Sequence, residues 1–210
     1  MYINILVLNI RSRAAASYLY DNEKMHKILC LTTQSSRRDS KILYKIREEN
    51  DAIYYYVQYD RVLPHSDGEM SYLIVGDKEE KALIFKGAYS IDALLNNEIL
   101  NFHLTAAPSK KKRISGCQNT KRSSISSQSD RVDWVTSKLE EAGVNVVSIR
   151  ETSKNTIYFK HNMDKGSRGR IPGFNYIGVI NVVNRGKFEE CLREGFGVGK
   201  CYGMGLMLLR

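Results

Sequence analysis

The stretch Gly195-Phe196-Gly197-Val198-Gly199-Lys200-Cys201-Tyr202-Gly203-Met204-Gly205-Leu206-Met207-Leu208-Leu209-Arg210 decides how the rest of the chain is read. Its glycines alternate, or nearly so, and run into an apolar segment. Glycine lets backbone pass close to a neighbour and take positive φ without strain. A loop of this kind exposes amide N–H groups to an anion, and Lys200 adds a cation beside them. Two common glycine motifs do not fit. A P-loop needs four residues between its glycines and then Lys with Ser or Thr; here three separate Gly195 from Gly199, and Cys201 follows Lys200. A dinucleotide fingerprint opens a helix, whereas Tyr202 to Leu209 reads as a strand. The plain alternative is a glycine turn that closes a last hairpin.

Working outward, the totals bound the answer. A chain of 210 residues with 42% hydrophobic and 26% charged residues fits one large globular domain or two small ones. No apolar run approaches the length of a membrane helix. Met1 to Ile10 alternates and lacks a basic leader, so it reads as a first strand and not as a signal peptide. The four cysteines, Cys30, Cys117, Cys191 and Cys201, are scattered, with no C-x-x-C pair and no Cys/His cluster. That pattern predicts no metal site, no cofactor held by thiols, and reduced thiols of a cytoplasmic protein. A net charge of +9 points to a polyanionic partner.

The position of that charge says more than its sum. Between Ala106 and Ser129 lie Lys110, Lys111, Lys112, Arg113, Lys121 and Arg122 and no acidic residue, in a serine-rich setting. A basic linker of this kind gains order on nucleic acid, because each phosphate contact releases counterions. A second basic segment runs through Lys160, Lys165, Arg168 and Arg170, where Gly166, Gly169, Pro172 and Gly173 mark a hairpin or loop.

Two helices are well marked. Asp21 and Asn22 are natural N-caps, and Met25, Ile28 and Leu29 form a core stripe with His26 at its border. Glu23 stands one turn before His26 and shares its face. Ser129 or Asp130 would cap the second helix, with Val132, Val135, Leu139 and Ala142 buried, Trp134 packing beside them and Gly143 ending it. Strands are predicted over Lys41 to Arg47, Ile53 to Tyr59, Tyr72 to Val75, Ala82 to Phe85, Ile99 to Thr105, Val144 to Arg150, Asn155 to Lys160 and Tyr176 to Val183. A third helix spans Lys187 to Glu194. The tyrosines Tyr54, Tyr55, Tyr56 and Tyr59 reflect the general aromatic enrichment of strands. Ile99 to Thr105 closes a first half in this reading.

Several phrases resemble one family, the CRISPR repeat-processing endoribonuclease of type I-E systems called CasE. Its members end in a phrase of the form G-x-G-x-x-K-x-x-G-x-G-L-L, carried here by Gly195, Gly197, Lys200, Gly203, Gly205 and Leu206, with Met207 in place of the second leucine. Arg11-Ser12-Arg13-Ala14-Ala15 resembles an S-R-A-A segment, and Met25-His26-Lys27-Ile28-Leu29 resembles Y-x-M-H-R-x-L. Arg38-Asp39, the run from Phe102 to Lys110 and the run from Asp130 to Gly143 match further family phrases. Glu23 stands where relatives carry tyrosine, and His103 and Thr105 stand where they carry arginine.

The resemblance covers essentially the whole chain and implies an α+β fold of two tandem ferredoxin-like (RRM-like) domains joined by a basic linker. The expected boundaries are 1–105, 106–129 and 130–210. It implies a catalytic His26, with Glu23 and Lys27 as candidate helpers. The RNA-binding set would be Arg11, Arg13, Arg38, Lys110, Lys111, Lys112, Arg113, Lys160, Lys165, Arg168, Arg170, Gly197, Gly199 and Lys200. The activity it implies is metal-independent cleavage of a CRISPR repeat RNA stem-loop, with 2′-OH attack leaving a 2′,3′-cyclic phosphate and a 5′-OH, and retention in the Cascade complex of a prokaryotic cytoplasm with its other subunits. Two other readings stay open: a slow or non-cleaving RNA-hairpin subunit, and an unrelated basic RNA-binding protein.

Overall fold

A computed structural model describes residues 1–33, 42–113, 120–160 and 168–210. The chain divides into two compact units, Met1–Asn96 with Lys200–Leu206, and Asn97–Gly199 with Met207–Arg210.

The first unit runs β1 (Tyr2–Leu8), α1 (Ala15–Tyr20), α2 (Asn22–Thr32), β2 (Leu43–Glu49), β3 (Ala52–Tyr59), β4 (Tyr72–Val75), β5 (Lys78–Ser90) and α3 (Ile91–Leu94). Its sheet has the order β2-β3-β1-β5-β4 and is antiparallel throughout. The apolar strand β1 pairs on both sides, with Leu6 opposite Tyr55 of β3 and Phe85 of β5. β2 and β3 meet through Asn50 and Asp51, both at positive φ (49° and 60°). That is the primed turn whose twist suits a tight hairpin, and Asn and Asp tolerate it best after glycine. The core joins Leu6, Leu8, Met25, Leu29, Tyr44, Tyr55, Val57 and Leu83. Helix α2 presents Met25 and Leu29 to it, both fully buried. The predicted Ala82–Phe85 strand is longer than read, because charged Lys78 to Lys81 continue a hairpin with β4.

The second unit contains β6 (Ile99–Ala106), β7 (Ser109–Arg113), β8 (Thr120–Ser124), α4 (Gln128–Glu141), β9 (Val144–Lys160), β10 (Arg168–Val182), α5 (Arg185–Glu194) and β11 (Met207–Leu209), while a 3-10 turn over Lys200–Tyr202 returns to the first unit. The sheet order is β11-β6-β10-β9, again antiparallel.

Several expectations change here. Ile99–Ala106 does not close the first half; it pairs with β10 and β11 at the centre of the second sheet, so the second unit starts at Asn97 and not near residue 130. Its alternation (Leu100, Phe102 and Leu104 buried) marks a strand but not which sheet it joins. The basic linker is in its described part a hairpin, β7 against β8, with Lys111 opposite Arg122. The strands expected at 144–150 and 155–160 are one strand, because polar Glu151 to Lys154 keep their pairing with Phe174 to Tyr176 across a bulge. The terminal strand shrinks to Met207–Leu209. Gly195, Gly197, Gly199, Gly203 and Gly205 all take positive φ (72° to 85°), which an extended ladder cannot hold.

Helix α4 starts after Ser127, earlier than predicted, and its buried stripe is Arg131, Val135 and Leu139, with Arg131 where Val132 was expected.

Candidate functional site

The site in the first unit is built on α2. The Asp21 carboxylate accepts from the amides of Glu23 (3.1 Å) and Lys24 (3.0 Å), fixing the helix start as the sequence predicts. His26 follows one turn later. It is more deeply set than a border position, at 6% exposure. Its Nε2 lies 3.7 Å from the Cys30 sulfur one turn on, and its ring stacks on Tyr44 at 6.4 Å between centroids and 24° between planes. Glu23 is half-buried and Lys27 exposed on the same helix.

Tyr44 ties this helix to the glycine-rich segment. Its hydroxyl lies 2.9 Å from the Asn22 carbonyl and 3.0 Å from the Cys201 carbonyl. Burial, reinforced by the Cys201 thiol nearby, pushes its pKa well above the ordinary tyrosine value. It is therefore a neutral donor, not a base. Gly203, at φ +85°, passes so near that a Cβ there would lie 3.2 Å from the Tyr44 ring. Helix α2 packs against the Lys200–Tyr202 turn, so His26, Tyr44 and Lys200, far apart in sequence, gather in one place. Sequence reading missed Tyr44, because an aromatic in a strand carries no signal of its own; the Ile42, Tyr44, Ile46 alternation was the available clue.

The positive charge is spread over both units. Arg11 and Arg13 are exposed on the turn after β1, where the Arg11 amide donates to Asn9 Oδ1. Lys110 and Lys111 are exposed on β7, and Lys110 lies 3.8 Å from Asp130. Lys112 and Arg113 continue β7, while Lys160 and Arg168 are register partners at the far end of the β9–β10 hairpin. Arg170 is exposed on β10. Arg38 and Lys165 lie outside the described residues.

Gly197 and Gly199 belong to the second unit and Lys200 to the first. At Gly197 (φ +77°) a Cβ would lie 3.1 Å from the Trp134 ring, so that backbone is shaped by an aromatic side chain, and Trp134 packs as expected.

Arg131, also missed, is buried in the second unit. Its Nε and one terminal nitrogen reach the two Glu151 oxygens at 2.8 and 2.7 Å, another nitrogen donates to the Ser126 carbonyl, and its guanidinium lies 3.9 Å over the Phe174 ring. The hydrogen bond from Arg131 holds the Glu151 carboxyl below the ordinary glutamate range despite burial. Tyr176 donates to the same carboxylate at 3.1 Å. An arginine at a core-stripe position reads as a helix-surface charge in sequence.

Among the described residues no group of three or more His, Cys, Asp or Glu side chains could hold a metal ion, and no helix is long and apolar enough to cross a membrane.

The described residues form an α+β fold with one larger antiparallel sheet in each unit and the small β7–β8 sheet, and they carry exposed positive charge of the kind that meets polyanions. The chain belongs to the CRISPR associated protein family, whose model matches residues 1–210, and the resemblance to CasE read from the sequence is borne out. It is 24% identical over 218 residues to the CRISPR-associated endoribonuclease Cse3 of Thermus thermophilus, covering 99% of this chain and 98% of that one. Its fold matches a CRISPR endoribonuclease Cse3 bound to 19 nt RNA, with TM-score 0.82, 20% identity and 100% coverage of both chains. It also matches a chain of a CRISPR RNA-guided surveillance complex in a pre-nicking state, with TM-score 0.67, 19% identity, and 100% and 99% coverage.

Proposed function

We propose that this chain binds the stem-loop of a CRISPR repeat RNA, cleaves it once at the base of the stem without a metal ion, and stays bound as a Cascade subunit. In this reading both units are ferredoxin-like. The second gives the strand order of that fold in full. The first keeps the order β2-β3-β1-β5 and has the β4 hairpin where the second helix would stand. The observation that carries the proposal is His26 on α2, stacked on Tyr44 and set against the turn that bears Lys200.

The chemistry follows from those groups. A ribose 2′-oxygen attacks the adjacent phosphorus, its proton passes to a base, and the 5′-oxygen leaves with a proton from an acid. The result is a 2′,3′-cyclic phosphate and a 5′-OH. Imidazole serves either proton transfer near neutrality. Lys200, and Lys27 on the exposed side of α2, supply positive charge for the phosphorane, whose stabilisation needs donors set in place beforehand. Glu23, one turn before His26, is suited to orienting it. Arg11, Arg13, the β7–β8 hairpin and the β9–β10 hairpin would grip the phosphates of the stem, since A-form RNA is read mainly through its backbone and shape. The RNA-bound relative supports the substrate class, and the relative in a surveillance complex supports the assembly. A prokaryotic cytoplasm is the compartment this function requires.

The test is cleavage of the repeat RNA from the neighbouring array in EDTA. Wild type should give one cut, lost in His26→Ala by about 10²-fold or more and lost in RNA with a 2′-deoxy at the cut site. Tight binding with no cut would replace this reading with a non-cleaving hairpin subunit. No binding would remove the substrate.

A further inference from the structure

Among its described residues the second unit leaves three large aliphatic side chains well exposed, Ile99 (64%), Val147 (64%) and Val183 (65%). Far apart in sequence, they are brought to one place by the strand register. On β10 the buried Tyr176 and Ile180 lie on the face that carries α4, where Arg131 and Tyr176 both bond Glu151. Alternation therefore puts Ile177, Val179 and Asn181 on the other face. Ile99 is the register partner of Asn181, and Asn101 of Val179. On β9 a bulge sets both Val147 and Ser148 against Val179, since Ser148 pairs with Val179 and Val146 already pairs with Ile180. Val183 continues the alternation of Val179 and Asn181 just past the end of β10.

Single exposed apolar residues are ordinary on a protein surface, whereas a cluster of them on one face marks a contact surface. Here the side chains between the aliphatic ones are uncharged: Asn101, Asn181 and Ser148. Charge comes only at the margin. Arg150, register partner of Ile177, and Arg210, bonded through its backbone to Asn101, fall on this face by the same alternation and are exposed. No Asp or Glu side chain stands in these rows. An apolar, charge-poor centre with a polar margin is the anatomy of a protein–protein interface. Nucleic acid asks for the reverse, because its phosphates need cations and gain nothing from valine and isoleucine. A second copy is opposed by charge: each chain carries +9, and a self-paired face would bring two arginine margins together. The occupant that fits is a protein surface with an apolar middle and carboxylates around it.

We infer that this face, centred on Ile99, Val147 and Val179, docks a neighbouring protein subunit that presents an apolar patch with an acidic margin. The inference rests on the reading of the chain as a Cascade subunit and adds to it the surface by which the chain is held. The Lys160–Arg168 pair closes the other end of the same two strands, 13 residues along β10 from Asn181 and so roughly 40 Å away. RNA at the hairpins and a protein at this face would be bound together without competing.

The probe is the remainder of the complex, assembled from the other subunits encoded beside the array on a guide RNA that lacks the repeat stem-loop, so that joining reports protein contact alone. The bare stem-loop RNA is titrated in parallel, and the full-length chain is used throughout. Ile99→Asp and Val147→Asp, both at exposed positions, should each weaken joining by about tenfold or more, while stem-loop affinity and cleavage stay within about twofold of wild type. Arg150→Glu should also weaken joining, and most at low salt, with stem-loop affinity again retained. Equal losses on both probes would make the face an RNA surface and overturn the assignment. A concentration-dependent dimer of the wild type that Ile99→Asp dissolves would overturn it in favour of a second copy. Variants that join as well as wild type, or a wild type that joins only when the guide carries its stem-loop, would overturn the face and leave the subunit reading intact. A wild type that joins neither assembly would overturn both.

Discussion

The Tyr44 hydroxyl stands between two carbonyl oxygens, Asn22 at 2.9 Å and Cys201 at 3.0 Å, so one side chain spans the start of the histidine-bearing helix and the turn after Lys200. Its single proton satisfies one carbonyl at a time. Tyr44→Phe should therefore cost about 1–2 kcal/mol of stability, the usual cost of a buried acceptor left unpaired. Denaturant unfolding measures this. Single-turnover cleavage should slow more than RNA affinity falls, because the change loosens the seat of His26 while leaving the exposed cations in place. An unchanged rate would mean that the hydroxyl is only structural.

Gly203→Ala tests the close pass over the same ring. Both the positive φ of 85° and the 3.2 Å approach to Tyr44 oppose a methyl group. A loss of about 2–3 kcal/mol is expected, against about 1 kcal/mol for Gly76→Ala, where φ is +63° but no atom lies within 4 Å. Equal losses at the two positions would show that the ring yields.

Glu151→Gln leaves Arg131 buried without its countercharge and should cost about 3 kcal/mol. The wild type should also show a pH dependence traceable to this pair. The Glu151 carboxyl is held below its ordinary range chiefly by the hydrogen bond from Arg131. Its contribution is therefore complete above the unfolded glutamate value of about 4.3 and drains away as pH falls through the lower folded value. The difference in unfolding free energy between wild type and variant should narrow on acidification. A constant difference down to acid unfolding would refute the linkage.

Lys45 on β2 is 2% exposed, and its amine has no hydrogen-bond partner among the described residues. Burial, with Arg47 adding repulsion, sets its pKa well below the ordinary lysine value. A lysine shifted this way costs stability as pH falls below its unfolded value of about 10.4, because the unfolded chain binds the proton more readily. Lys45→Met should raise stability at neutral pH by about 1–3 kcal/mol. The gain should fade toward pH 10, as urea unfolding across that range would reveal. A loss at neutral pH would mean that the amine is held by something bound to it.

Local signals carried far. Asp21 as a cap and the Met25/Leu29 stripe could be read because each depends on neighbours in sequence, whereas the β7–β8 hairpin was read as a linker. Membership of a sheet could not. Ile99 to Ala106 alternates the same way whichever sheet it joins, and only its pairing with Phe174–Asn181 and Met207–Leu209 settles the matter. The same applies at the site. His26 is visible as a motif, whereas Tyr44 and Arg131 act through partners more than a turn away (Cys201, Glu151) that no periodicity connects. The glycines were legible as positions needing unusual backbone, but two of them serve the rings of Trp134 and Tyr44.

Because Lys200–Leu206 belongs to the first unit and Met207–Arg210 to the second, the order of synthesis and the order of assembly differ. A ribosome releases the whole of Met1–Asn96 long before the turn that Tyr44 must meet has been made. A product cut short anywhere before residue 200 lacks a piece of each unit. Such a product carries His26 and Tyr44 without the Cys201 carbonyl and the Lys200–Tyr202 turn that pack against them.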